Sequence, residues 1–264
     1  MSTPTEKLIA EKDGSIGWIT FNNPARHNAM SIDMYAALAD TVEAYEKDDD
    51  VRVIVLKGAG SKAFVSGADI STFEQQRSSE EARKVWDETS DRANSVLYDV
   101  SKPTIAMING YCLGGGVGLA MCCDLRIASD KSRFAVPAAK LSVGYRSPGL
   151  RKLMNVVNPA FVKEIFYTAR QFSAEEALTM GWVNRVLPED QLEGYVREYA
   201  GTIAGNAPLT IRAVKATVNE LLKDSDERDL EWSEGLVAAC FTSDDYVEGR
   251  RAFMEKRKPE FKGR

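Results

Sequence analysis

Two glycine-rich stretches contain the residues best placed to do chemistry. The first covers residues 62–70 and reads KAFVSGADI, and the second covers 109–118 and reads NGYCLGGGVG. Consecutive glycines at the start of a helix free backbone N–H groups to point at a ligand, and the positive end of the helix favours negative charge there. The second stretch is therefore a candidate for binding a negatively charged ligand group through backbone N–H groups.

Known nucleotide-binding motifs do not account for these glycines. The second stretch lacks the third glycine of a dinucleotide-binding turn, and GAGSK at 58–62 lacks the Gly-Lys-Ser/Thr of a P-loop. A structural alternative for 114–118 is close packing of a helix against a strand, which also favours glycine.

The composition of the 264 residues is that of a globular protein, with 44% hydrophobic and 28% charged residues. No apolar run approaches the roughly 18–20 residues of a membrane helix, and the first residues lack a signal-peptide pattern. Four cysteines and a single histidine, His27, lack disulfide-scaffold or metal-ligand spacing. We therefore expect a reducing, cytoplasmic setting, no membrane contact and no metal or redox cofactor. Cys112 is expected to be a buried small hydrophobe, and His27 is not expected to be catalytic.

The charge distribution argues against a nucleic-acid partner. The net charge is −5 and the isoelectric point is near 5.2, whereas nucleic-acid affinity rests largely on neutralising phosphates. The last segment, 250–264, is the exception, with seven Lys or Arg and two Glu. It is either a solvated basic end or a site for a phosphate-bearing small molecule.

Hydrophobic periodicity predicts an α/β core followed by a helical region. A hairpin is expected over 7–11 and 16–21 with Asp13-Gly14 as its turn, and Ser31 is expected to cap a helix over 34–45. Further strands are expected at 51–57, 104–109 and 125–128, with helices at 80–100 and 117–121 and a loop at 58–71. Later helices are expected at 164–168, 174–179, 192–204, 209–222, 230–241 and 246–255. The predicted division is a core over 1–200 and a helical region over 201–264 that completes the site and the oligomer.

The order of the motifs resembles the crotonase superfamily, the enoyl-CoA hydratase/isomerase family. The matching stretches are NNPARHNA at 22–29, SGADI at 66–70, GYCLGGG at 110–116, CDLRIA at 123–128, AEEA at 174–177, GWVN at 181–184 and the segment from Glu248 to Pro259. The resemblance implies a spiral of ββα turns with a C-terminal helical trimerisation region. It also implies homotrimers or dimers of trimers, and acyl-CoA substrates in which coenzyme A is part of the substrate rather than a cofactor.

The resemblance also assigns roles to residues. The N–H groups of Ala68 and Gly115 would form an oxyanion hole for a thioester oxygen that becomes an enolate. Arg26 would meet phosphate oxygens and Lys256 would reach the CoA ribose phosphate from a neighbouring subunit, although both are equally compatible with solvated surface charges. The remaining substrate-binding positions are Ser66, Asp69, Ile70 and Gly114. Of these, Asp69 also suits capping of local backbone.

The sequence departs from the family where hydratases carry two glutamates. Gly118 and Ala138 stand at those positions, and neither side chain can transfer a proton. Arg146 stands where isomerases and dehalogenases of the family place an acid. Tyr145 falls where the methylmalonyl-CoA decarboxylase branch has a tyrosine that orients the substrate carboxylate, and Arg146 could assist it. That branch, however, places histidine where this chain has Ala68.

Three hypotheses follow from these residues. The first is an acyl-CoA lyase that decarboxylates a malonyl-type CoA, because this reaction forms an enolate without a base. The second is an atypical enoyl-CoA hydratase or isomerase, and the third is a catalytically silent acyl-CoA-binding protein.

Overall fold

The strands form two sheets within the described part of the chain. The structure is a computed structural model, and it describes residues 5–69 and 79–264. In these ranges the strands are β1 (Leu8–Asp13), β2 (Ile16–Phe21), β3 (Val53–Gly58), β4 (Ala63–Val65), β5 (Thr104–Ile108), β6 (Tyr111–Leu113), β7 (Leu125–Ser129), β8 (Arg133–Ala135), β9 (Phe172–Ser173) and β10 (Arg185–Leu187). The large sheet has the order β1-β2-β3-β5-β7-β10, and the small sheet has the order β4-β6-β8-β9.

Of the α-helices in the described ranges, six lie between strands and four follow β10. They are α1 (Ile32–Lys47), α2 (Glu80–Asp99), α3 (Gly115–Cys122), α4 (Ser147–Met154), α5 (Pro159–Thr168), α6 (Ala174–Thr179), α7 (Leu192–Ala204), α8 (Pro208–Leu221), α9 (Leu230–Phe241) and α10 (Asp244–Glu255). None of the described helices combines the length and apolar character that a membrane span requires.

The chain winds as a spiral of ββα turns, which confirms the predicted fold class. Three successive turns are β3-β4-α2, β5-β6-α3 and β7-β8-α4, and each contributes one strand to each sheet. All neighbouring strands of these turns pair in parallel. Because parallel strands are buried on both faces, the residues of β5 are all buried and those of β3 largely so.

Several predicted element boundaries are corrected by the structure. The expected loop at 58–71 contains β4, and β6, β8, β9, β10 and α4 were not predicted. The hairpin is confirmed, but Asp13 pairs with Ile16, so Gly14 and not Asp13 opens the turn with φ of 57°. Ser31 does immediately precede α1, yet its side chain makes no capping hydrogen bond.

A buried arginine fastens the C-terminal end of α3. The Arg126 guanidinium donates to the carbonyl oxygens of Cys123 at 2.7 Å and Trp182 at 2.9 Å. Since the last carbonyls of a helix lack intrahelical partners, a cation there satisfies and stabilises that end. The opposite, N-terminal end of α3 faces the site described below.

The three last helices carry many exposed apolar side chains. Phe253 and Met254 of α10 are 83% and 80% exposed, and Phe241 of α9 is 62% exposed. A groove of about 1050 Å³ between α8, α9 and α10 is lined by such residues, among them Val214 and Val218. The division into 1–200 and 201–264 remains a prediction.

Candidate active site

The two glycine-rich stretches meet because they follow neighbouring parallel strands. Residues 66–69 leave β4, and Gly114 leaves β6, which pairs with β4. The carboxyl ends of adjacent parallel strands lie at the same edge of a sheet, where ligands commonly bind in α/β folds. Gly114 N–H donates to the carbonyl of Ala135 at the end of β8 at 2.9 Å, which fixes the second stretch to the next strand.

The N–H of Ala68 points away from Met30, the residue with which Ala68 forms a β-bridge. Met30 N–H donates to Gly67 O at 2.8 Å, and Asp69 N–H donates to Met30 O at 2.9 Å, which forms a parallel bridge between Met30 and Ala68. In such a bridge the hydrogen bonds use the residues on either side of Ala68, so its own N–H points to the opposite edge. No backbone hydrogen bond within residues 5–69 and 79–264 uses the Ala68 N–H.

Gly115 supplies the second amide as the first residue of α3. The first N–H groups of a helix have no intrahelical acceptor, and no described backbone group accepts from Gly115. A Cβ atom built on Gly115 would lie 3.8 Å from the Ala68 nitrogen and 3.1 Å from the Tyr35 Oη. The amides of Ala68 and Gly115 therefore border the same small space, with the positive end of a helix behind one of them.

Gly67 and Gly114 allow the backbone conformation of the two glycine-rich stretches where they approach each other. Gly67 has φ of 114° and Gly114 has φ of 50°, a region that residues with a Cβ rarely adopt. A Cβ on Gly114 would approach Gly67 Cα at 3.9 Å. Gly116 is constrained by packing, since its Cβ would stand 2.2 Å from the Val65 carbonyl oxygen. Helix–strand packing thus explains Gly116, and backbone conformation explains Gly67 and Gly114.

A buried asparagine holds the first stretch in place. Asn28 is fully buried, and its amide donates to Ala63 O at 2.7 Å and Ala59 O at 3.0 Å. Its side-chain oxygen accepts from Asn23 N–H at 3.0 Å, and its φ of 56° suits asparagine. Sequence reasoning assigned Asn28 no function beyond its place in the motif.

Among the other predicted binding residues, Ser66 and Asp69 belong to the same stretch as Ala68, Arg26 contacts Ser66, and one residue is outside the described ranges. Ser66 Oγ donates to Arg26 O at 3.3 Å, and Ser66 N–H donates to His27 O at 3.2 Å. Arg26 ends a short 3-10 helix with its side chain exposed. Asp69 is buried next to Ala68. Ile70 is the residue that lies outside the described ranges.

The positions where the family's hydratases carry two glutamates hold residues without acidic side chains. Gly118 lies one turn after Gly115 on α3, and a Cβ built there meets no atom within 4 Å. Ala138 is buried in the 3-10 helix that follows β8. Gly118 is therefore near the Gly115 amide, and neither position carries a side chain that transfers protons.

Tyr145 and Arg146 lie on the segment that precedes α4. The Tyr145 ring packs edge-on against Phe166 of α5 at 4.7 Å, and burial raises the pKa of its phenol. The Arg146 guanidinium contacts both carboxylate oxygens of Asp91 at 2.7 Å. A substrate carboxylate would thus compete with Asp91 for Arg146.

Lys256 belongs to a different part of the chain. It ends α10 with φ of 54° and an exposed side chain, and α10 packs on α9. Cys112, in contrast, is fully buried beside the glycines, and burial raises the pKa of its thiol, which confirms the expected buried hydrophobe. In the described residues no three His, Cys, Asp or Glu side chains converge as metal ligands.

Sequence reasoning missed one polar group at the amide pair, the hydroxyl of Tyr35. Tyr35 lies on the buried face of α1, and its ring contacts Trp86 of α2 edge-on at 5.8 Å. The sequence signal for this residue is an apolar helical periodicity, which is the same for a core tyrosine and for one whose hydroxyl reaches a site.

Comparison with known proteins identifies the family. The family model described as enoyl-CoA hydratase/isomerase matches residues 11–264. The chain belongs to this family. A crotonyl-CoA hydratase from Syntrophomonas wolfei is 35% identical over 256 residues, which cover 97% of this chain and 98% of the relative. A carnitinyl-CoA dehydratase from Escherichia coli O157:H7 is 32% identical over 268 residues, which cover 98% of this chain and 100% of the relative.

Solved structures of the enoyl-CoA hydratase/isomerase family share the architecture. A crystal structure of an enoyl-CoA hydratase/carnitine racemase from Magnetospirillum magneticum superposes with a TM-score of 0.94. It is 35% identical, and the match covers 99% of this chain and 97% of that one. The predicted membership of the crotonase superfamily, a superfamily of acyl-CoA enzymes, is thereby confirmed.

Proposed function

We propose that this chain binds an acyl-CoA thioester with its carbonyl oxygen between the N–H groups of Ala68 and Gly115. The observation that carries the proposal is that these two amides border one space. The Ala68 N–H points away from the bridge with Met30, and Gly115 is the first residue of α3. When the thioester becomes an enolate, negative charge develops on that oxygen. Donors fixed where charge develops stabilise the transition state more than the ground state.

The reaction that we propose is decarboxylation of a malonyl-type CoA. The bond between the α-carbon and the carboxylate breaks, its electron pair forms the enolate, and carbon dioxide leaves. The α-carbon then takes a proton from solvent. This sequence needs no side-chain base, which fits the glycine and alanine at positions 118 and 138. Tyr145 would donate a hydrogen bond to the departing carboxylate.

Hydration or dehydration of a short enoyl-CoA is the second candidate. It is favoured by the names of the relatives, since the proteins from S. wolfei and E. coli are called crotonyl-CoA hydratase and carnitinyl-CoA dehydratase. It requires an acid–base group at the α- and β-carbons, and general acid–base catalysis typically contributes about 10²–10⁴-fold. Silent binding of acyl-CoA is the third candidate, and it is compatible with the same amide pair.

A panel of thioesters followed by mass spectrometry separates these candidates. We expect methylmalonyl-CoA or ethylmalonyl-CoA to lose 44 mass units (the mass of carbon dioxide) and to yield the saturated acyl-CoA, with propionyl-CoA as the unreactive control. Conversion of crotonyl-CoA to its hydrate, with both malonyl-type esters unchanged, would replace decarboxylation by hydration. Retention of acyl-CoA with no conversion in the whole panel would establish a binding protein instead.

We further propose that the chain assembles as a homotrimer or a dimer of trimers through its last helices, and that it works in a reducing, cytoplasmic compartment. The exposed Phe241, Phe253 and Met254 support the first proposal, because contiguous exposed apolar surface marks interaction sites. The four free cysteines support the second. Sedimentation equilibrium should give three or six times the 29.1 kDa chain mass, and a monomer at micromolar concentration would contradict the assembly.

A further inference from the structure

The hydroxyl of Tyr35 shares the space that the two amides border. A Cβ atom on Gly115 would stand 3.1 Å from Tyr35 Oη and 3.8 Å from the Ala68 nitrogen, so both groups lie close to one point. Tyr35 itself is 5% exposed and lies on the buried face of α1. A phenol hydroxyl can both donate and accept a hydrogen bond, and buried polar groups generally form such bonds.

The surrounding residues fix the direction of this side chain. Its ring meets the Trp86 ring at 5.8 Å and 80°, an edge-to-face arrangement that aromatic pairs prefer. At the N-terminal end of α1, Met30 bridges to Ala68 and Ser31 precedes the first helical residue. The helix that carries Tyr35 is thus tied to the same segment that carries the Ala68 amide.

We propose that Tyr35 is a catalytic residue whose hydroxyl donates a third hydrogen bond to the thioester oxygen. This proposal rests on the proposed function, because it needs the thioester carbonyl between Ala68 and Gly115. A donor fixed at this point strengthens its bond as the enolate forms and requires little reorganisation. The chemistry that Tyr35 recognises is an acyl thioester carbonyl, whichever acyl group it carries.

The test uses Tyr35→Phe, which keeps the ring that packs on Trp86 and removes only the hydroxyl. Tyr45→Phe is the matched control, since Tyr45 lies on the same helix but donates to Glu11 O and Trp18 O, at 2.9 and 3.2 Å. Two readouts are measured for both variants. They are kcat on the thioester that the panel identifies, and the infrared stretching frequency of bound propionyl-CoA labelled with ¹³C at the thioester carbon.

We expect Tyr35→Phe to lower kcat by about 10²-fold, the order seen when one oxyanion donor is removed, and to raise the bound carbonyl frequency. Tyr45→Phe should lower thermal stability but leave kcat and the carbonyl frequency unchanged. Unchanged kcat and frequency in Tyr35→Phe would overturn the role of Tyr35 while leaving the proposed function intact. A wild-type frequency equal to that of free propionyl-CoA would instead overturn the amide site itself, so the two failures are distinguishable.

Discussion

Replacing Gly115 with proline should lower kcat on the identified thioester by about 10²–10³-fold, the loss expected when one oxyanion donor is removed. Proline lacks the N–H that we assign to the thioester oxygen. It is otherwise suited to this position, because the first helical residue has no intrahelical N–H bond to lose and proline is favoured there. Gly114 has no Cβ to collide with the proline ring, so the restriction on the residue before proline is smallest here.

The matched control for this experiment is Gly115→Ala. It adds the same Cβ at 3.1 Å from the Tyr35 hydroxyl but keeps the N–H. We expect Gly115→Ala to lose less activity than Gly115→Pro because it keeps the N–H, although its Cβ crowds the Tyr35 hydroxyl and the space proposed for the thioester oxygen. Equal losses in the two variants would mean that crowding and not the amide controls the rate, and the assignment of Gly115 would fall.

Replacing Gly116 with alanine should produce the largest loss of stability among single glycine substitutions in α3. The new Cβ would lie 2.2 Å from Val65 O and 2.9 Å from Val65 C, which are backbone atoms of β4. The helix must move away from the strand, and overpacking of this kind typically costs about 1–3 kcal/mol and occasionally more. For a chain of this size we expect the thermal midpoint to fall by roughly 2–12 °C, at about 2–4 °C per kcal/mol.

Gly118→Ala, two residues further along α3, is the control for that prediction. No atom lies within 4 Å of its Cβ position, so the substitution meets open space in a helical backbone. Alanine in place of glycine in a helix stabilises by roughly 0.5–1 kcal/mol, and the midpoint should rise slightly. Calorimetry on both variants decides the matter. A destabilised Gly118→Ala, or a Gly116→Ala of wild-type stability, would contradict the packing of α3 on β4.

Sequence periodicity located the long elements well. The predicted helices at 174–179, 192–204 and 230–241 have the same bounds as α6, α7 and α9. In α7 the periodicity corresponds to one buried apolar stripe, formed by Leu192, Val196, Ala200 and Ala204. Each strand of the small sheet is at most three residues long, and its pairing partner lies far away in sequence. Nothing local in such short segments distinguishes a strand from a loop, so β4 was missed inside a predicted loop.

The candidate site was predictable only where a local motif encodes it. The glycine-rich stretches indicated a site for a negatively charged group, and the family resemblance assigned the two amides. The hydroxyl of Tyr35 and the pairing of Arg146 with Asp91 depend on contacts across 80 and 55 residues of chain, respectively, which no spacing rule encodes. Arg146 was expected to help hold a carboxylate of the substrate, and the structure shows that a carboxylate of the chain already contacts it.

The central claim is that one acyl oxygen is held by two backbone amides, and a crystal structure with an unreactive ligand tests it most directly. A suitable ligand is a propionyl-CoA analogue in which a methylene group replaces the thioester sulfur. We predict that its carbonyl oxygen lies within about 3.2 Å of the nitrogen atoms of both Ala68 and Gly115, the normal range of an N–H···O hydrogen bond. A bound analogue whose carbonyl oxygen is hydrogen-bonded to neither nitrogen would contradict the claim.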